Sequence, residues 1–173
     1  MRKSIAATAL VAALVLGGCT AQIGAAAVVD GQAISTSTLD RTTRELNDLF
    51  SVNTRDVLSM LIIAPSYLEG AAANGVAKSR EQARDYLVEL KVNDPTSGLD
   101  PAGFSDATLD LVRFDLALRE MSTLANAQEI GVSIQEKVTA LDVQVNPRFG
   151  EFSAEQSAIT AVSPEWLVQP GTA

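Results

Sequence analysis

Few residues in this chain are of a type and spacing that could carry chemistry. Among 173 residues there is one cysteine, Cys19, and no histidine. The chain therefore lacks a Ser-His-Asp triad, a Cys-His pair and a His-ligated zinc site. A single thiol also rules out a disulfide within the chain. Lys78 and Ser79 are neighbours, but their place at a helix entry predicts a capping role for Ser79 rather than a Ser-Lys dyad. Asp106, Asp110 and Asp115 fall on a predicted helix, where charge marks the solvated face. Asp94 and Asp100 flank a loop whose spacing does not match a calcium-binding EF-hand. Tyr67 and Trp166 offer flat apolar surfaces, expected to serve core packing or docking of the tail. No phosphate-binding loop, nucleophile elbow or dinucleotide fingerprint occurs. The expectation is a protein without enzymatic activity, cofactor or metal.

The one reactive side chain has an informative context. Met1-Arg2-Lys3 is a short basic start, and Ile5 to Leu16 is an apolar run too short for the ~20 residues of a membrane-spanning helix. That layout is a secretory signal. It ends in Leu16-Gly17-Gly18-Cys19, which resembles the bacterial lipobox, where an aliphatic and two small residues precede the lipidated cysteine. The resemblance implies a signal peptide over residues 1–18, acylation of Cys19 and a short tether over 19–25. It places the protein at the cell membrane, lipid-anchored on the extracytoplasmic face. Two or more acyl chains hold firmly, at ~0.8 kcal/mol per buried CH₂.

The charge agrees with a body held off an anionic surface. Lys and Arg number 13 against 21 Asp and Glu, for a net charge of −8. This excludes the basic footprint of a nucleic-acid binder.

The elements that position these residues are mainly helical. Val28-Val29-Asp30-Gly31-Gln32-Ala33-Ile34 predicts a hairpin, because Asp-Gly between apolar runs suits a two-residue turn with positive φ. Ser35 caps a helix from about Thr36 to Phe50. A nearly all-apolar helix follows from Asn53 or Thr54, interrupted by Pro65 and ended by Asn74-Gly75. Ser79-Arg80-Glu81-Gln82 is a capping box opening a third helix to about Leu90. A turn-rich loop spans Asn93 to Pro101. Ser105 caps a long amphipathic helix to about Gln128, and a second capping box at Ser133–Glu136 opens a short last helix. Asp142-Val143-Gln144-Val145 reads as a strand. The fold class is mainly α, about five helices with a small antiparallel sheet pairing the early hairpin (26–34) with the late strand (143–145). Residues 26–152 form the domain, and 153–173 read as a mostly irregular tail.

Three stretches resemble one family. Val28 to Ile34 with the capped helix behind it is similar to the start of the SurA N-terminal domain, a family that includes PrsA-like foldases and trigger-factor-related chaperones. Met60-Leu61-Ile62-Ile63, then Ala71 to Gly75 and Val76-Ala77-Lys78-Ser79, resembles that family's second helix and the turn into its third. Val143 to Gly150 is similar to the closing strand of short lipoproteins in the group. The resemblance implies a helical cradle, closed by a small sheet, that holds unfolded or newly exported polypeptide. Members that isomerise prolyl bonds carry a parvulin domain with its own histidines. Here Glu129-Ile130-Gly131-Val132 leads straight into the last helix, so isomerase activity is not expected. The function implied is that of a membrane-anchored holdase. The alternative is an envelope lipoprotein that docks one specific protein partner. The sequence does not assign the peptide-binding residues.

Overall fold

The structure is a computed structural model that describes residues 24–47, 49–94 and 100–161. The signal segment, Cys19 and most of the tether lie outside the described residues, as does Trp166.

Strand β1 (Ala25–Val29) and strand β2 (Gln32–Ser35) form the expected hairpin. Asp30 and Gly31 have φ of 48° and 79°, the positive pair that a type I′ turn requires. The late strand, labelled β3 here (Val143–Val145), pairs antiparallel with β1, Ala27 opposite Val145 and Val29 opposite Val143. The sheet order β2-β1-β3 leaves β1 in the centre. Asp30 locks the closure: its backbone N–H donates to the Asp142 carbonyl at 2.9 Å, and its Oδ1 accepts from the Asp142 N–H at 2.9 Å. The strand begins at Ala25, so the last tether residue already belongs to the sheet.

Five helices lie between the strands: α1 (Thr36–Asn47), α2 (Thr54–Ala73), α3 (Arg80–Asn93), α4 (Asp106–Met121) and α5 (Ala127–Ala140). Their starts follow local side-chain chemistry. Ser35 Oγ accepts from the Thr38 N–H at 3.0 Å, and Asn53 Oδ1 accepts from the Arg55 and Asp56 N–H groups, each at 3.0 Å. Ser79 and Gln82 make the reciprocal capping box, and Ser105 accepts from the Thr108 N–H. Helix α2 is the core helix, with Val57, Leu58, Ile62 and Ala71 almost wholly buried. Among the described helices it alone is long and apolar enough to cross a membrane, yet half of that window is buried in the body. It runs through Pro65 as one helix, with the Leu61 carbonyl deprived of its usual donor.

Helices α1 and α3 end within three residues of the expected Phe50 and Leu90, at Asn47 and Asn93, while two boundaries differ by more. Helix α4 stops at Met121 instead of Gln128, because the Ser122 and Thr123 hydroxyls bond back to the Arg119 and Glu120 carbonyls and turn the chain. Helix α5 then starts at Ala127, so the Ser133–Glu136 pattern lies inside a helix and caps nothing. Ile130, Ile134 and Val138 supply one buried stripe across Gly131, and burying them outweighs the ~1 kcal/mol cost of a helical glycine.

The expected irregular tail is also corrected as far as Thr160. Strands β4 (Glu151–Ser153) and β5 (Ala158–Thr160) form a separate hairpin. Ile159 is buried, and its N–H donates to Ser59 Oγ of α2 at 2.8 Å. Gln135 of α5 holds the turn through the Ala154 carbonyl and the Ser157 hydroxyl. The packed body therefore extends past residue 152.

The interior falls into two clusters. The larger joins β1, α1, α2, the inner face of α4, α5 and Ile159. The smaller holds Ala83 and Leu87 of α3 with Phe104, Leu109 and Val112. Helix α4 is the wall they share.

Candidate functional site

Most polar residues singled out by type are engaged in holding helices together. Lys78 Nζ pairs with Glu120, and the Lys78 carbonyl accepts from Arg113 Nε at 2.6 Å. Ser79 is spent on its cap. Asp106 and Asp110 both receive Arg80, at 2.8 and 2.6 Å, and Asp110 also receives Arg113. Burial pushes the Asp110 carboxyl up, but the hydrogen bonds and charges of Arg80 and Arg113 outweigh it and hold Asp110 below its ordinary value. These pairs bolt the entry of α3 to α4. Asp100 Oδ1 accepts from the Ala102 N–H. Asp94 and Asp100 flank residues 95–99, which lie outside the described residues. Among the described residues no group of three or more acidic, Cys or His side chains could hold a metal ion.

Sequence reasoning passed over Glu45, which sits in the densest polar contact. Its side chain is only 15% exposed. Oε2 accepts from the Ser105 N–H at 3.0 Å, the Ser105 hydroxyl at 2.7 Å and the buried Thr108 hydroxyl, while Oε1 accepts from Arg41 at 2.6 Å. Desolvation works to raise the Glu45 carboxyl, and the bonds from Thr108, Ser105 and Arg41 overcome it and leave it lowered. One carboxylate thus ties α1 to the cap of α4. The only available signal was that Ser105 and Thr108 open a helix with no carboxylate of their own at the fourth position.

Two open clefts of the body are lined mainly by apolar side chains. A cleft of about 200 Å³ lies in the seam between the two clusters, with Leu46 and Met60 on one wall and Leu87 and Val112 on the other. Phe50, 47% exposed, stands at its rim. Tyr86 and the Asp115–Arg119 pair, at 2.8 Å, supply the rest of its polar edge. A second cleft of about 350 Å³ opens between α2, α4 and α5, among Tyr67, Leu118, Met121 and Ile130. Leu118 is 42% exposed there. Tyr67, expected to serve core packing or docking of the tail, meets Phe114 edge-on with ring centroids 5.1 Å apart. Since Phe114 lines the first cleft and Tyr67 the second, this ring pair forms the partition between them. Leu111, Phe114, Leu118 and Met121 of α4 all line one of the two clefts; Leu111, Phe114 and Met121 are buried, and Leu118 is left exposed. Compared with known proteins, the chain matches no family model, no curated protein and no solved structure.

Proposed function

We propose that this protein is a lipid-anchored, extracytoplasmic holdase of the SurA N-terminal-domain type, which binds unfolded or newly exported polypeptides and does not isomerise prolyl bonds. The observation that carries the reading is the pair of open apolar clefts on α4, each bordered by a half-exposed large side chain, Phe50 or Leu118. An unfolded segment gains by moving its apolar side chains out of water there, at roughly 25 cal/mol per Å² buried, with little demand on sequence. The element order of hairpin, five helices and closing strand supports the reading as well. Acylated Cys19 would hold the body at the membrane where exported chains emerge.

The test measures aggregation of an unfolded client and a proline-limited refolding step together, using the chain with Cys19→Ala and an equally acidic helical protein as control. Suppression near stoichiometric amounts, without nucleotide and without faster isomerisation, is expected. Suppression no better than the control would favour an envelope lipoprotein with one folded partner. Faster isomerisation would refute the non-enzymatic reading. Detergent-phase partitioning checks the anchor: membrane retention and mass unchanged in the Cys19→Ala chain would remove lipidation from the proposal.

A further inference from the structure

We infer that residues 162–168 fold back around α2 and seat the Trp166 indole in the first cleft, so that the chain covers part of its own binding surface. The consequence for clients, which must displace this segment, deepens the holdase reading and rests on it.

The described chain stops beside that cleft. Strand β5 lies along α2, with the Ile159 N–H on Ser59 Oγ at 2.8 Å, and Met60, the next residue of α2, lines the first cleft. Successive side chains leave a helix about 100° apart, which is an arc of roughly 10 Å around a helix about 10–12 Å across. Asp56 lies on the face between them, four residues before Met60 and three before Ser59. It is exposed, so the arc is open to a crossing chain. Leaving β5, the chain heads for the start of α2. Thr160 pairs with Glu151, its carbonyl oxygen lies against Gly150, and the neighbouring Phe149 carbonyl accepts from Arg55 Nε at 2.9 Å. Val52, just ahead of that helix start, is another wall of the first cleft. From Ala161 to Trp166 is five residues, at most about 18 Å when extended, enough for the arc. The second cleft takes Tyr67 from α2, which lies about 18 Å along the axis from Arg55 and would use the whole reach before any turn is made.

The chemistry of the seat suits an indole. Trp166 is the one tryptophan of the chain and the one aromatic residue among 162–173. The cleft holds about 200 Å³, and a cavity of ~150 Å³ already takes benzene. Phe50, Tyr86 and Phe114 line it, rings against which an indole packs edge-on or offset. The Asp115 carboxylate at its edge offers an acceptor for the indole N–H, which a buried tryptophan usually finds. Seating the ring also covers Phe50, otherwise half-exposed. With so short a linker the effective concentration is on the order of mM, so a weak contact keeps the cleft occupied most of the time.

The experiment uses the full chain with Cys19→Ala, in which Trp166 is the sole indole reporter. Its emission should be blue-shifted from that of a free peptide of residues 162–173 and protected from acrylamide at low protein concentration. Phe50→Asp, at the exposed rim, should move the emission to the red and abolish the protection, while Leu118→Asp at the second cleft should leave both unchanged. Trp166→Ser frees the cleft: by anisotropy a labelled peptide of residues 162–173 should bind this chain about tenfold more tightly than the parent, as for a site about nine-tenths occupied. Peptide-like emission in the parent, or protection lost in Leu118→Asp and kept in Phe50→Asp, would overturn the seat. So would protection that appears only as protein concentration rises, which assigns the cleft to a second copy, or only with phosphatidylglycerol vesicles, which assigns Trp166 to the membrane interface. Clients are scored separately in the aggregation assay, where Trp166→Ser should suppress at lower amounts than the parent. Equal suppression by the two would overturn the displacement by clients. Suppression by neither, with the emission as expected, would remove the holdase reading and leave the seat of Trp166 standing.

Discussion

Glu45→Ala should be among the most damaging single changes outside the apolar core. It removes the acceptor of the Ser105 N–H, the Ser105 hydroxyl and the Thr108 hydroxyl at once. Hydrogen bonds to a charged group contribute about 1.5–3 kcal/mol each, but the three losses do not add in full. Ser105 is half-buried, so water can replace one partner, and Thr108 keeps the Ser105 hydroxyl at 3.0 Å. We expect about 2–4 kcal/mol in urea unfolding at neutral pH, and about 1–2 kcal/mol for Glu45→Gln, which retains an acceptor. For a body of this size the larger figure lowers Tm by roughly 5–15 °C. The pH dependence provides a separate check. Because folding lowers the Glu45 pKa, its contribution is fully present above the unfolded value of 4.5 and is lost as pH falls through the lower folded value. Stability should therefore decline below about pH 4.5 in the parent, and Glu45→Gln should lack that share while Asp110 still contributes at lower pH. A Glu45→Ala change within about 0.5 kcal/mol of the parent, or an unaltered acid slope in Glu45→Gln, would refute the tie.

Three further outcomes are expected. Gly150 has φ of 120°, and a Cβ there would lie 2.1 Å from the Thr160 carbonyl oxygen; Gly150→Ala should cost about 2–3 kcal/mol and expose residues 151–161 to limited proteolysis, and an unchanged cleavage pattern would count against the docked hairpin. Gly131→Ala should raise stability by about 0.5–1 kcal/mol in urea titration, since the site is helical, exposed and unobstructed. Thr42 is fully buried and its hydroxyl has no partner among the described residues, so Thr42→Val should raise Tm by relieving a desolvated polar group; a lower Tm would mean the hydroxyl is satisfied.

What was legible in the sequence was local. The Asp30-Gly31 turn and the caps at Asn53, Ser79 and Ser105 depend on side chains reaching backbone a few residues away, and the structure makes each of them. The joining of the early and late strands followed because neither stands alone in water. What was missed depends on distant packing. Gly131 and the Ser133–Glu136 pattern suggested a break, but Ile130 and Ile134 bury on the core and carry α5 across it. The β4–β5 hairpin consists of three-residue strands with no alternation to read, and it is held by Ser59 and Gln135 from other elements. The clefts were unreadable for the same reason: no periodicity separates an α4 residue that fills the core, such as Leu109, from one left at an opening, such as Leu118.

The central position of β1 determines how the body meets a mechanical load. The chain enters this strand at Ala25, so tension from the N-terminal side runs lengthwise along a strand flanked on both edges. Such a pull shears the β2 and β3 ladders together instead of peeling one bond at a time. The first bonds to take the strain are those from Asn146 to the Ala25 and Ala26 carbonyls and from the Thr36 N–H to Gly24. Had β1 been an outer strand, the same pull could unzip the sheet; as built, the body resists it with two ladders in parallel.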